Sequence, residues 1–271
     1  MAFLPYLLLF VAAIVGGTLN SVAGGGSFFT FPALIFTGVA PITANVTSTV
    51  AIWPGSVASA SAYRHELMKQ PRTILFIFIG TSLVGGAVGA YLLLYTPQSF
   101  FVALVPYLLL IATLLFTFSP YITARLRQRR ASVGEVQDVQ DMQERQVRQR
   151  SRGNLPGVTI AQFVISIYGG YFGGGIGILM LATLAMMGME NIHEMNAVKN
   201  VLASSLNGVA VIIFIIKGAV LWPQALVMVV GAIIGGYGGA WLARKIDQKW
   251  IRLFVIVVGF SLTLYFFVHG A

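Results

Sequence analysis

Long apolar runs that no acidic residue interrupts dominate this chain. They cover roughly residues 3–39, 42–62, 73–95 and 99–119, then 157–189, 196–216, 224–243 and 250–268, and none contains Asp or Glu. A helix crosses a bilayer with ~20 apolar residues, so runs of this length point to spanning helices. Barrel strands would instead alternate apolar and polar positions over stretches of ~10. Only 9% of the residues are charged, whereas a soluble domain carries ~25%. The sequence therefore predicts an all-α polytopic membrane protein, and its length allows about eight to ten membrane segments.

The remaining charge says where the loops lie. Lys and Arg number 17 against 8 acidic residues, a net charge of +9. In a membrane protein such an excess marks cytoplasmic loops beside anionic lipid, and it implies no nucleic acid. The first residues, Met1 to Tyr6, lack the positive start of a signal peptide and read as the beginning of the first membrane segment. With no cysteine, disulfides, thiolate metal sites and Cys nucleophiles are excluded. Eight of the basic residues fall between Pro120 and Gly153, among them Arg125, Arg127, Arg129 and Arg130. That stretch reads as a solvated cytoplasmic linker, 120–153, between an N-terminal repeat, 1–119, and a C-terminal repeat, 154–271.

The two apolar halves repeat each other. At an offset of about 150 residues, Asn45 falls opposite Asn196, Thr49 opposite Asn200 and Gly80 opposite Gly231. Gly85, Gly86, Gly89 and Leu92 likewise fall opposite Gly235, Gly236, Gly239 and Leu242. Equivalent loops carry opposite charge bias: Thr96-Pro97-Gln98 is uncharged, whereas its counterpart runs from Arg244-Lys245 to Lys249. By the positive-inside rule this predicts two inverted repeats, as in many secondary transporters. Each would hold a Gly-interrupted helix or helical hairpin plus three transmembrane helices. An odd number of crossings per half then divides residues 3–39 into two short arms.

Gly24-Gly25-Gly26-Ser27 and Gly173-Gly174-Gly175 lie in the middle of apolar runs. Three consecutive glycines cost a helix interior ~3 kcal/mol relative to alanine, so each helix is expected to break there. Irregular backbone at membrane depth is tolerated where it is buried in protein or lines a cavity. Broken helices also present N–H groups that suit an anion. Close packing through small residues explains the later glycines, 85, 86, 89, 235, 236 and 239, better. After each triplet comes a polar segment containing Asn45 and Thr49 in the first half, and Asn196, Lys199 and Asn200 in the second. These are candidate substrate-binding residues. The competing reading is that Ser and Thr bond back to their own helix and Asn bridges neighbouring helices. Lys199 is an ionisable group inside a membrane segment, which marks a pathway unless it snorkels to the interface. Membrane segments without acids argue against cation transport. No nucleophile elbow, phosphate-binding loop, zinc motif or paired carboxylates are found, so the sequence suggests no catalyst and no cofactor.

With these residues the chain resembles the TauE/SafE sulfite-exporter family. The resemblance is carried by GGTLNSVAGGGSFFTFPALIFTGVAPITANVTSTVAIWPGS and AYRHEL in the first half. In the second it is carried by YFGGGIGILMLATLAMMGM, NAVKNVLASSLNGVAV and GAIIGGYGGAWLARKI. It covers nearly the whole chain outside the linker, although the second half has no counterpart of Pro32. The resemblance implies a permease in the cell membrane for small sulfur-containing anions, sulfite or short organosulfonates, usually directed outward. Moving one negative charge out of an inside-negative cell gains ~2.3 kcal/mol per 100 mV, so export needs no nucleotide. An anion channel and a non-transporting membrane subunit are the alternatives.

Overall fold

The computed structural model describes residues 3–22, 24–131, 155–187, 189, 191–242 and 248–269. Among them are eleven helices and no strand. The first half forms α1 (Phe3–Val22), α2 (Ser27–Phe36), α3 (Pro41–Ala62), the single turn α4 (Arg64–Leu67), α5 (Arg72–Tyr95) and α6 (Gln98–Ala131). The second forms α7 (Leu155–Tyr171), α8 (Ile176–Met187), α9 (Ile192–Ile216), α10 (Trp222–Leu242) and α11 (Gln248–His269). The linker's first residues thus continue α6, while 132–154 and the Arg244-Lys245 pair lie outside the described residues.

Local chemistry sets the ends of these helices. Pro41 opens α3, where its missing N–H costs nothing, and the Asn191 side chain caps α9 by accepting from His193 N at 3.0 Å. Gly38 and Gly218, at φ +85° and +65°, end α2 and α9 in left-handed turns. Val39 N and Ala219 N then bond back to Leu34 O and Phe214 O, at 3.1 Å each.

Burial is inverted relative to a soluble protein. Phe76, Leu226 and Leu264 are among many large apolar side chains left exposed, while Asn45, Ser59, Lys199 and Asn200 are buried. That arrangement suits lipid outside and polar residues inside the bundle. Among the described residues, four helices are each long and apolar enough to cross a membrane, and four more are shorter and apolar. The protein is a polytopic helical membrane protein. α3 is more polar than these helices, and Asn45, Thr47, Ser48, Ser56 and Ser59 along it are buried.

The packing repeats when the halves are exchanged. α1 lies along α10 as α7 lies along α5, and α3 meets α10 as α9 meets α5. α1 and α10 are parallel: Gly231 faces Phe10, Gly235 faces Ile14 and Gly239 faces Thr18. α3 is also parallel to α10, with Thr47 beside Leu221 and Gly55 beside Ala232. α9 runs against α3, since Asn200 reaches Ser59 and Ser204 O accepts from Trp53. α5 runs with α9, through Gln70 on Glu194 and Gly86 on Leu206. α7 runs with α5, through Gln162 on Ser82 and Gly89 on Ile167. Equivalent helices of the two halves therefore point in opposite directions.

This pattern corrects the expectation of two short arms. α1 and α3 lie side by side in the same direction, so α2 must carry the chain back between them. Gly26 and Thr30 of α2 accordingly sit against Gly16 of α1. α1 has 20 residues and α2 only 10, about 30 Å and 15 Å at 1.5 Å per residue. One arm has full membrane length and the other half of it. The second half does the same less unequally, with 17 residues in α7 and 12 in α8.

Candidate functional site

Both triple-glycine stretches interrupt their helices. Gly24 has φ +71°, and Gly173 and Gly175 have φ +78° and +75°. Side chains with a Cβ are strained in this region. Gly24 N closes the last turn of α1 on Leu19 O at 3.0 Å, and Phe172 N closes that of α7 on Tyr168 O at 2.9 Å. Gly26 then serves as N-cap of α2.

The two breaks touch. Gly24 packs its backbone directly on Gly177, at the start of α8, and a methyl group on Gly173 would stand 3.6 Å from Ser27 Oγ. Gly26 lies against the backbone of Gly16, Gly174 against the Phe172 ring, and Gly175 against Ala112 of α6. Among the described residues Gly25 N–H has no backbone partner, while Gly25 O accepts from Phe28 N at 3.1 Å.

At this junction, donors outnumber acceptors. The amides of Gly174 and Gly175 make no backbone hydrogen bond among the described residues. These are the unsatisfied groups expected at a helix start, where the dipole is positive. Their carbonyls are occupied: Tyr168 OH donates to Gly174 O at 2.9 Å, and Ile178 N to Gly175 O at 3.1 Å. The half-buried Ser27 hydroxyl has no partner among the described residues either. Phe31, Phe172 and Phe101 wall this region with edge-on ring contacts.

The polar residues after each triplet serve the opposite half's break. Asn45 Nδ2, on α3, donates at 2.8 Å to Tyr171 O, the last carbonyl of α7. Lys199 Nζ, on α9, donates at 2.9 and 3.2 Å to Asn20 O and Ser21 O in the last turn of α1. Lys199 is 1% exposed, so it does not snorkel. An ammonium suits a helix C-terminus, where the dipole is negative and carbonyls lack partners. Asn200 Nδ2 donates to Ser59 Oγ at 2.7 Å, which donates on to Ser21 Oγ at 2.9 Å. Asn20 Nδ2 donates to Ser56 Oγ at 2.7 Å on the same side. Thr49 Oγ1 bonds back to Asn45 O at 2.9 Å, as helical threonines do. Asn45 Oδ1 and the Oδ1 of the equivalent Asn196 are both buried without a partner.

The candidate residues thus divide into two groups. Gly24, Gly25, Gly26, Ser27, Gly173, Gly174 and Gly175 lie at or beside the junction, and Asn45 and Lys199 bond the helix ends that lead into it; Asn200 reaches Ser59 instead, and Thr49 and Asn196 join neither group. Sequence reasoning passed over Asn20, Ser21, Ser56, Ser59 and Tyr168. Ser56 and Ser59 continue the Asn45 face of α3 at helical spacing, which is the one signal that pointed to them.

A family model described as "Sulfite exporter TauE/SafE" matches residues 9–266. The chain is 28% identical over 257 residues to a "Probable membrane transporter protein" of Haemophilus influenzae, covering 94% of this chain and 92% of that one. It is 29% identical over 271 residues to "Probable membrane transporter protein YfcA" of Escherichia coli, with 98% and 92% covered. To "Probable membrane transporter protein YunE" of Bacillus subtilis the identity is 28% over 276 residues, with 96% and 97% covered. No solved structure matches the chain.

Proposed function

This chain belongs to the TauE/SafE sulfite exporter family and is a membrane transporter; from that premise we propose that it exports small sulfur-containing anions, sulfite or short organosulfonates, by alternating access. The observation that carries the reading is the junction of the two breaks. The amides of Gly174 and Gly175, without backbone acceptors among the described residues, and the Ser27 hydroxyl, without a partner there, lie at it beside the positive end of α8. An anion that leaves water needs hydrogen-bond donors in place of its hydration, and oriented backbone amides supply them without a full charge. Lys199 of α9 reaches α1 at Asn20 O and Ser21 O, four and three residues before Gly24, and adds its field from there.

The two halves act as inverted repeats that rock about this junction. The opposed directions of α1 and α7, and of α3 and α9, support that arrangement. Placing the basic loop of Arg64, Lys69 and Arg72 and the basic linker on the cytoplasmic side of the inner membrane satisfies the positive-inside rule. The inside-negative potential then drives anions outward.

Efflux of labelled sulfite from proteoliposomes at a set voltage tests the proposal, with methanesulfonate and chloride as competitors. Saturable, voltage-driven efflux inhibited by the sulfonate supports it; non-saturating flux would make the protein a channel. Ser27→Ala should raise KM for the anion about tenfold with an unchanged Tm, because a hydrogen bond to a charged group contributes ~1.5 kcal/mol or more. An unaltered KM would remove Ser27 from the site. Thr49→Val should leave transport intact and stability within about 0.5 kcal/mol, since the hydroxyl serves its own helix. A large loss of transport in that variant would return Thr49 to the binding site.

A further inference from the structure

Each half of the molecule holds the end of the other half's broken helix, and the two holds are unequal. Lys199 of α9 bonds two carbonyls in the last turn of α1, and Asn200, Ser59, Ser21, Asn20 and Ser56 form hydrogen bonds around the same end. Asn45 of α3 bonds one carbonyl at the end of α7. Ser59, within the first cluster, and Asn45 stand fourteen residues apart on α3 (59 less 45), about 21 Å along its axis. One contact therefore lies toward the basic loop at 63–71, the other toward the uncharged turn at 37–40.

The repeat does not duplicate the ammonium. Ser48 occupies the place equivalent to Lys199 at the offset that pairs Asn45 with Asn196, and its hydroxyl bonds Thr30 Oγ1 within its own half at 2.6 Å. One contact is charge-assisted and double, while the other is neutral and single; charge-assisted bonds are the stronger kind.

We propose that Lys199 and Asn45 are positioning residues that act as opposed latches. The Lys199 latch closes the junction toward the basic-loop face, and the Asn45 latch closes it toward the opposite face. Both are closed in this structure. Opening toward the basic-loop face separates the end of α1 from α9; opening toward the other face separates the end of α7 from α3. The stronger Lys199 latch makes closure toward the basic-loop face the resting condition. The proposal rests on alternating access at the break junction and specifies which contact gates which face.

Because the chain contains no cysteine, Ser27→Cys places one thiol at the junction. Its labelling by a membrane-impermeant thiol reagent is followed from each face of oriented vesicles. In Lys199→Met, labelling from the basic-loop face should rise about tenfold and labelling from the other face should fall, as expected when a charge-assisted bond is lost. Asn45→Ala should shift accessibility the opposite way by a smaller factor. Lys199→Arg, which keeps cationic donors, should resemble the parent. The Asn45→Ala arm stands alone if Lys199→Met does not accumulate. Equal increases from both faces, or no change in either variant, overturn the latches while leaving alternating access in place. Simultaneous labelling from both faces in the otherwise unaltered Ser27→Cys protein overturns alternating access itself, and the latches with it.

Discussion

Gly24→Ala is expected to abolish transport and to lower Tm well below that of the parent. Two costs coincide at this position. The backbone has φ +71°, which costs a residue with a Cβ ~1–2 kcal/mol, and the added methyl would drive into the backbone of Gly177. Backbone on backbone has no flexible end that can yield, so the two breaks must part. Gly38→Ala separates these costs, because Gly38 has φ +85° but no heavy atom within 4 Å of an added Cβ. It should show the modest loss of strain alone and keep transporting. Thermal unfolding in detergent and efflux from vesicles provide the comparison. Equal effects in the two variants would mean that the breaks do not depend on touching.

Opposite signs are expected when other glycines are replaced, according to the face they occupy. Gly89 packs onto the backbone of Ile167 and Tyr171 in α7, and its counterpart Gly239 onto Thr18 in α1, where a methyl would stand 2.6 Å from Cα. Alanine at either site must push two parallel helices apart, and overpacking of this kind costs ~1–3 kcal/mol. Gly80 and Gly238 have nothing within 4 Å. There alanine should stabilise by up to ~1 kcal/mol through helix propensity alone. Small-residue seams of this sort let membrane helices approach closely. If Tm rises in Gly89→Ala as much as in Gly80→Ala, close approach is not what the seam provides.

Much of the architecture was legible because lipid imposes simple requirements. Continuous apolar runs become helices since no other backbone satisfies itself in a bilayer. Triple glycines break those helices, and an offset common to Asn45, Thr49 and the later glycines reveals the duplication. The unequal lengths of the arms were not legible, because residues 3–39 are apolar on both sides of the break. Only the parallel packing of α1 and α3 on α10 requires α2 to return. The polar residues were legible as a buried set but not in their partners. A sequence shows that Lys199 must find something to bond, without showing that Asn20 O and Ser21 O, nearly 180 positions earlier, will be what it finds.

By itself, the sequence determined a helical membrane protein with glycine breaks in two of its apolar runs, because hydrophobic length and backbone conformation are local properties. Tertiary structure alone decided which polar groups hold the ends of broken helices and which stay unpaired. That division depends on carbonyls brought together across the two halves, and hydrogen-bond partners so far apart in the chain are fixed by packing.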